Sequence, residues 1–293
     1  MRKARIAVIL ALLVFATTSL FAAELTPLGA DTMTIGQRME QVRSIIEGEQ
    51  HQRRVVTPNV VSVDWEKEAF IIPVAGSIQG GNGTFFRSDV TIANRRLAAQ
   101  LISVGFMVRG QNNAAVQMQR FQIDANTTTI TRDFIANQLH TSGLGTLLVI
   151  AIDSAGNTDD NAEIDGFSRI WTPQPGSAGS VSQAFESIDL EDNLSTSYAY
   201  GLRQDSGFRT NVGLVNLYGT GNTFTVFVNG TGGSTSFTQF VQPYSMEQVP
   251  LPAGAWGDLY IRVTSDSSNF NWWSAYGTSV DNVTGDGWVS HVH

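Results

Sequence analysis

Residues 86–94 read FRSDVTIAN and residues 208–216 read FRTNVGLVN, so one nine-residue segment occurs twice. Apolar side chains recur at every second position in the stretches that follow the two copies, at 102–108 and 224–228, the pattern of β-strands with one buried face. Two weaker matches follow in the same order: 145–151 with 257–263, and 179–182 with 287–290. Matches that keep their order along the chain predict two copies of one β-rich unit.

The repeat predicts how the whole chain is organised. We expect four segments: a signal peptide at 1–23, an N-terminal helix and linker at 24–66, module one at 67–190, and module two at 196–293. Each module has the length and the many short strand-like runs of an antiparallel β-sandwich of immunoglobulin-like type. The predicted fold class is therefore all-β, with two tandem immunoglobulin-like sandwiches preceded by one short amphipathic helix.

The repeated segment, Phe-Arg-(Ser/Thr)-(Asp/Asn)-Val-x-(Ile/Leu)-x-Asn, also resembles the tandem immunoglobulin-like sandwich repeats of secreted, poorly characterised bacterial proteins. In those repeats the strand usually ends in Asn-Pro, whereas here Asn94 precedes Arg95 and Asn216 precedes Leu217. The resemblance covers the two modules. It implies a secreted bacterial β-sandwich protein. It does not imply any particular enzymatic reaction.

The first segment has the composition of an export signal. Arg2, Lys3 and Arg5 precede an apolar run at 6–15, and small residues lead up to Ala23. This order predicts a cleaved secretory signal, with an uncleaved membrane anchor as the alternative. The sequence contains no cysteine, so an exported chain of this composition is held together by core burial without disulfides. We expect it to be secreted or periplasmic, or associated with the cell surface, and to have no integral membrane segment after cleavage.

A helix is predicted directly after the signal. Thr34 and Gln37 have the spacing of a capping box. Apolar residues then follow at helical spacing: Ile35, Met39, Val42 and Ile46. Such a stripe packs either on its own chain or on a second copy, so self-association through this helix is the alternative to docking within the chain.

Polar residues of the repeated segment form a structural motif in both copies: Arg87, Asp89 and Asn94 in module one, and Arg209, Asn211 and Asn216 in module two. Each arginine stands two residues before an acceptor, which places both side chains on one face of a strand. We interpret the arginine and acceptor as a charged or hydrogen-bonded pair that stabilises the edge of a sandwich.

Two sets of residues suggest metal binding. Oxygen-bearing side chains alternate through one loop as they do in calcium loops: Asn157, Asp159, Asn161 and Glu163. A solvated acidic loop is the alternative interpretation, and no other cofactor is expected. His291 and His293 share one face of a terminal strand and have the chemistry to bind zinc or copper.

Tryptophans distinguish the second module from the first. Aligning 167–171 with 272–276 places Trp273 opposite Ser168, and the later match places Trp288 opposite Ser180. Small hydroxyl residues indicate exposed positions, so we predict that Trp273 and Trp288 form an exposed platform that stacks on sugar rings or anchors a protein. The alternative is that both tryptophans cover the module interface or the N-terminal helix.

The net charge and the catalytic motifs that the sequence lacks limit the classes of function to be considered. With 18 Lys and Arg against 26 Asp and Glu, the net charge of -8 argues against nucleic acid as a partner. No Gly-x-Ser-x-Gly motif or cysteine nucleophile is present, and only four histidines are available as bases. We expect a non-enzymatic surface, periplasmic or extracellular-matrix interaction or structural protein whose partner is an envelope or extracellular protein or a glycan. The alternatives are a carbohydrate-binding protein that uses module two, and a hydrolase with a loop-built or metal-assisted site.

Overall fold

The computed structural model describes residues 23–53, 68–174, 176, 178–190, 196–266 and 272–291. It consists mostly of antiparallel β-strands, as the alternating sequence predicts. The proposed signal peptide lies outside the described residues except for Ala23, and so does most of the linker before residue 68. Helix α1 (Ile35–Arg53) and the short helix α2 (Phe134–Asn137) are the α-helical segments of the described chain.

We use "module one" for strands β2 to β9, with α2 between β6 and β7. These are β2 (Ala69–Gln79), β3 (Phe85–Asn94), β4 (Gln100–Val108), β5 (Gln117–Ile123), β6 (Thr127–Thr131), β7 (Gly143–Ile152), β8 (Ile164–Pro173) and β9 (Ser180–Glu186). Strand β1 (Thr26–Thr34) pairs with β5, and β10 (Ile188–Asp189) pairs with β2. These two strands are additions to the repeated unit.

We use "module two" for strands β11 to β18. These are β11 (Thr196–Gln204), β12 (Phe208–Asn216), β13 (Asn222–Gly230), β14 (Gly233–Val241), β15 (Ser245–Pro250), β16 (Gly257–Ser265), β17 (Trp273–Asp281) and β18 (Gly287–His291). They form two four-stranded sheets, in the orders β11-β16-β13-β14 and β15-β12-β17-β18. The buried faces of these sheets enclose a common apolar core, as in a β-sandwich.

Strand pairing recurs between the modules. The pairs of module one, β2-β7-β4-β5 and β6-β3-β8-β9, match those of module two strand for strand. Pairing of β2 with β3 at their connected ends joins the two sheets of module one into one continuous sheet. The exact segment boundaries at 67–190 and 196–293 stay predictions.

The strand order differs from the expected immunoglobulin-like order. In that order the first strand lies beside the second and the seventh beside the sixth. In module two the first strand, β11, pairs with the sixth, β16, and the seventh, β17, pairs with the second, β12. The alternation of apolar and polar residues shows which face of a strand is buried. It does not show which neighbouring strands the strand pairs with. Antiparallel sandwich architecture is thus compatible with the structure, while the immunoglobulin-like order is not the one observed.

Helix α1 begins as the capping box predicts. The Thr34 backbone N–H donates to Gln37 Oε1 over 2.9 Å, and the Gln37 N–H donates to Thr34 Oγ1 over 3.4 Å. The predicted apolar stripe is buried in the chain's own core, with Ile35, Met39, Val42 and Ile46 each at most 2 % exposed. The helix therefore docks within the chain, and it continues beyond the stripe to Arg53.

The junction between the modules is also apolar. Several module two side chains belong to the core that surrounds α1 and module one: Val215, Leu217, Tyr244, Met246, Trp272 and Tyr276. Arg43 of α1 lies over the ring of Tyr218 at 4.3 Å and that of Trp272 at 5.4 Å. The helix thus contacts both modules at once.

Candidate functional site

Trp273 is not part of an exposed platform. It is 2 % exposed, and its ring lies 5.4 Å from that of Phe224 in the core of module two. The hydrogen-bond register shows why the prediction was wrong: Trp273 pairs with Asn216, just as Ile164 pairs with Asn94 in module one. The residue equivalent to Trp273 is therefore the buried Ile164 and not Ser168, so the sequence alignment was out of register at this strand.

Trp288 does reach the surface. It is 38 % exposed, its indole N–H donates to the Gly201 carbonyl over 2.8 Å, and its ring meets that of Phe208 edge-on at 5.7 Å. Its position in β18, opposite Ser279, corresponds to Gln183 of module one, which lies opposite Ile170. The N–H bond fixes the indole plane, so one ring surface is presented to solvent in a defined orientation.

Tyrosines line the outward face of the neighbouring sheet. Tyr198 and Tyr200 of β11 stack in parallel with ring centroids 5.8 Å apart, and Tyr200 lies 5.9 Å from Tyr260 of β16. Tyr200 is 54 % exposed and Tyr260 is 39 % exposed. The inward positions between them, such as Ala199 and Ile261, are buried. Strand alternation therefore sends these tyrosines to one outer surface.

The same surface continues across the sheet. Arg262 of β16 pairs in register with Tyr198 on one side and Phe227 on the other, and its guanidinium lies 3.9 Å from the centroid of the Phe227 ring. We define the outer aromatic face as Tyr198, Tyr200, Phe227, Tyr260 and Arg262, with Trp288 at its end.

An open groove of about 570 Å³ lies where this face meets Trp288. Its aromatic walls are Tyr200, Tyr260 and Trp288. A register shift between Ala199 and Leu202 widens β11 here, and Gly201 takes the left-handed backbone conformation (φ +66°) that the bulge requires. The bulge thus lies beside Tyr200, at the wall of the groove.

Polar groups line the groove between the rings. Asp258, Asn229 and Thr231 reach it from β16, β13 and the turn after β13, and Arg203 reaches it from β11. The Arg203 guanidinium is held by Asp205 at 2.7 Å. Within the described part of the chain, the Asp258 carboxylate and the Asn229 amide make no hydrogen bond, so both are available to a ligand.

The predicted calcium loop makes a different set of contacts. Asp159 accepts from Arg96 Nη1 at 2.7 Å and from Gln100. The other side-chain amides also bond locally, Asn157 to Asp153 and Asn161 to Asp160. Burial raises the pKa of Asp159, but hydrogen bonds from Asn161, Gln100 and Arg96 outweigh it and hold the pKa below its ordinary value.

Metal binding stays a prediction that these contacts do not favour. Among the described residues no group of three or more acidic, histidine or cysteine side chains has the arrangement of a metal site. The side chain of His291 and all of His293 lie outside the described residues, so the zinc or copper hypothesis is not tested.

The repeated asparagines have identical structural roles. The Asn94 side-chain amide donates to the Ala98 and Asp124 carbonyls at 2.8 and 3.0 Å. Asn216 donates to Thr220 and Gln242 at 2.8 and 2.9 Å. Each asparagine is buried and ties the end of its strand to the two turns that leave the sheet. A buried amide thus fixes the turn without the proline that the resemblance leads one to expect.

The repeated arginines bind loop residues and not the acceptors two positions along. Arg87 lies 3.5 Å from Asp133, and Asp89 accepts the Asp133 backbone N–H. Arg209 donates to Asn282 Oδ1 at 2.9 Å, and the side chain of Asn211 makes no hydrogen bond within the described residues. The direct pairing predicted for these residues is therefore wrong, because both arginines extend past the strand edge toward a loop.

Sequence reasoning missed the tyrosines of the groove. Tyr198 and Tyr200 alternate with buried Ala199, and Tyr260 stands between buried Leu259 and Ile261. That alternation is readable from the sequence, and it assigns all three rings to the solvent side once the strands are recognised.

Comparisons with known proteins do not assign this chain to a family. No helix within the described residues combines the length and the apolar character needed to cross a membrane. No protein-family model matches the sequence, and no curated protein matches it either.

Proposed function

We propose that this chain is an exported, non-enzymatic interaction protein that binds glycans on the outer aromatic face of module two. The observation that carries the proposal is the convergence of Tyr200, Tyr260 and Trp288 on one open groove. Within the described residues, the Asp258 carboxylate and the Asn229 amide in that groove make no hydrogen bond. The remote relation to tandem sandwich repeats of secreted bacterial proteins belongs to the same proposal, and the recurring strand pairing supports it.

A sugar ring matches this mixture of groups. Its faces present C–H groups that pack on flat aromatic rings, and its rim presents hydroxyls that need hydrogen-bond partners. Tyrosine and tryptophan supply apolar contact area at low conformational cost. The Asp258 carboxylate accepts hydrogen bonds and the Asn229 amide both accepts and donates them, at the height of the ring edges.

The ligand should be an oligosaccharide and not a single sugar. The stacked pair Tyr198 and Tyr200 continues the surface away from the groove, and Arg262 over Phe227 extends it across the sheet. An extended, shallow surface of this kind gives several weak stacking contacts along a chain, whereas a terminal sugar is usually enclosed more completely.

The test combines a glycan array with calorimetry on the full chain. Tyr200→Ser and Trp288→Ser should each weaken binding of a captured oligosaccharide about thirtyfold, as expected for an aromatic anchor worth about 2 kcal/mol. Phe167→Ser is the matched control, because Phe167 of module one is 39 % exposed, like Trp288. It should leave the affinity unchanged.

Two outcomes would refute the proposal. One is an array with no glycan bound by the parent protein. The other is an affinity that survives both groove substitutions while the folded state is intact by thermal unfolding. Export is tested separately, by fractionating the producing cell and sequencing the mature N-terminus.

A further inference from the structure

A second cleft, of about 310 Å³, lies where the two modules meet. Strands β2, β3, β8 and β9 line it from module one, and strands β12, β15 and β17 line it from module two. It shares no lining residue with the groove beside Trp288. Clefts between folded units are common places for small-molecule sites.

Part of the cleft is strongly apolar. Phe185 is 1 % exposed, Val280 is 8 % exposed and Ile170 is 9 % exposed, and Phe86 also lines the space. A bound molecule that covered these side chains would remove its own apolar surface from water.

Amide side chains line the module two side. Gln248 is oriented by Tyr276, whose buried hydroxyl donates to Gln248 Oε1 at 3.3 Å. Burial raises the pKa of the Tyr276 phenol far above its ordinary value, against a smaller opposing effect of Arg109, so the hydroxyl keeps its proton. The Gln248 amide N–H₂ and the Asn211 amide have no hydrogen-bond partner within the described residues. Both can therefore bond a ligand.

The charge in the cleft is positive. Arg109 and Arg209 both line it, and Arg109 is neutralised by Glu247 at 2.9 Å. Arg209 donates only to the neutral Asn282, and in the described part of the chain it has no carboxylate partner. Its equivalent in module one, Arg87, has the carboxylate of Asp133 at 3.5 Å. The uncompensated guanidinium is thus specific to module two and to the cleft.

We propose that this cleft binds a small organic carboxylate with an apolar or aromatic body. A guanidinium presents paired N–H donors that match the two oxygens of a carboxylate. The Asn211 and Gln248 amides add donors beside the anion, and Phe185, Ile170 and Val280 receive the apolar body. An inorganic anion would leave these apolar side chains without a partner.

The test measures binding of phenylacetate and of hexanoate to the full chain, by calorimetry and by protein NMR shifts. At least one carboxylate should bind at the cleft, and its neutral amide, phenylacetamide or hexanamide, should bind about tenfold more weakly or worse because the charge-assisted bonds are lost. Arg209→Gln should weaken the carboxylate by a similar factor. Arg209→Lys, which keeps the charge, should weaken it less.

Arg87→Gln is the matched control, since it removes the equivalent arginine in module one and should not change the affinity. Arg209 is exposed, so thermal unfolding should show that its variants remain folded. The proposal is overturned if neither carboxylate binds, if acid and amide bind equally well, or if Arg209→Gln and Arg87→Gln have the same effect. Glycan binding at the other groove is unaffected by any of these results.

Discussion

The two modules share the same strand pairing, but the outward face of one sheet is covered in module one and partly exposed in module two. In module one the outward face of the β2-β7-β4-β5 sheet is covered by α1, so Leu148 and Ile150 are fully buried. In module two the equivalent positions, read from the strand register and from the bulge that β2 and β11 share, are Arg262 and Thr264, and both are partly exposed. One topology thus supports either a covered core face or a partly exposed one.

The size of the side chain at the centre of that sheet face decides whether a helix can cover the face. A Cβ at Gly105 would lie 2.7 Å from the Cγ1 atom of Ile35, so the helix can lie this close only because Gly105 has no side chain. The equivalent position in module two is Phe227, which pairs with Arg262 as Gly105 pairs with Leu148. A helix could not approach module two in the same way without removing these side chains.

Polar anchoring of the covering segment is also restricted to module one. Asp31 of β1 and Arg38 of α1 form a fully buried ion pair at 2.7 Å, and Ser103 of β4 donates to Asp31. Arg38 also donates to the Gly156 carbonyl at 2.6 Å. The position of Ser103 is taken by Thr225 in module two, whose hydroxyl donates to Asp266 Oδ1 over 2.8 Å and is therefore bonded within its own module.

The largest expected effect distinguishes the two tryptophans of module two. Trp273→Ser should lower the free energy of unfolding by about 3–5 kcal/mol, because it empties a core position. Trp288→Ser should cost about 1 kcal/mol or less, because that ring is only partly buried. Denaturant unfolding of both variants checks this, and equal losses would contradict the register that pairs Trp273 with Ile164.

The next effect concerns the covering helix. Val42→Asp places a charge at a position that is 1 % exposed and should cost about 3 kcal/mol or more, exposing the apolar face of module one. Ser44→Asp, on the exposed side of the same helix, is the control and should change stability little. Thermal unfolding with a dye that reports exposed apolar surface measures both. If Val42→Asp melts like the parent, α1 does not cover module one in solution.

For the two repeated asparagines we expect a smaller loss of stability, and the loss should be equal in the two modules. Asn94→Ala and Asn216→Ala each remove donors from two buried turns and should each cost about 2 kcal/mol. Asn161→Ala, at an exposed turn, serves as the control. Chemical denaturation of the three variants should show matching losses for the first two, and a large loss in only one module would mean that the repeat is not structurally equivalent at this point.

The smallest effect is expected from pH. Burial raises the pKa of Asp31, but hydrogen bonds from Ser103 and Arg38 outweigh it and hold the pKa below the ordinary value. A carboxylate of this kind contributes stability that is present above its unfolded-state pKa and is lost as the pH falls through its folded-state pKa. The free energy of unfolding should therefore decrease on acidification below about pH 4. Asp31→Asn should flatten that decrease while lowering stability at neutral pH.

Part of the fold was predictable because it depends on local patterns. Alternation identified the strands around 102–108 and 224–228, and the ordered matches, beginning with 86–94 and 208–216, identified the repeat. The capping box at Thr34 and Gln37 and the stripe from Ile35 to Ile46 identified α1 and its buried face, because helical spacing places those side chains on one side whatever they pack against.

The candidate site was less predictable. Trp288 was found because the sequence match placed it opposite the small residue Ser180, although its structural equivalent is Gln183. The tyrosines beside it could have been found from their alternation. Trp273 was misplaced because insertions shift the register of β17 relative to the matches on which the alignment relied. When two strands are aligned out of register, a buried residue is matched with an exposed one. Only the hydrogen bonding between strands shows the correct register.

The sequence by itself therefore determined the strand-rich class, the duplication and the helix, since these follow from spacing along the chain. Tertiary structure alone decided which sheet edge each strand joins, that α1 covers module one and leaves module two open, and that Arg209 faces a cleft formed with the other module. The physical reason is that burial and charge compensation are set by neighbours distant in sequence: Arg87 and Arg209 both stand in the repeated segment, and only the packed chain places Asp133 beside one of them and a cleft beside the other.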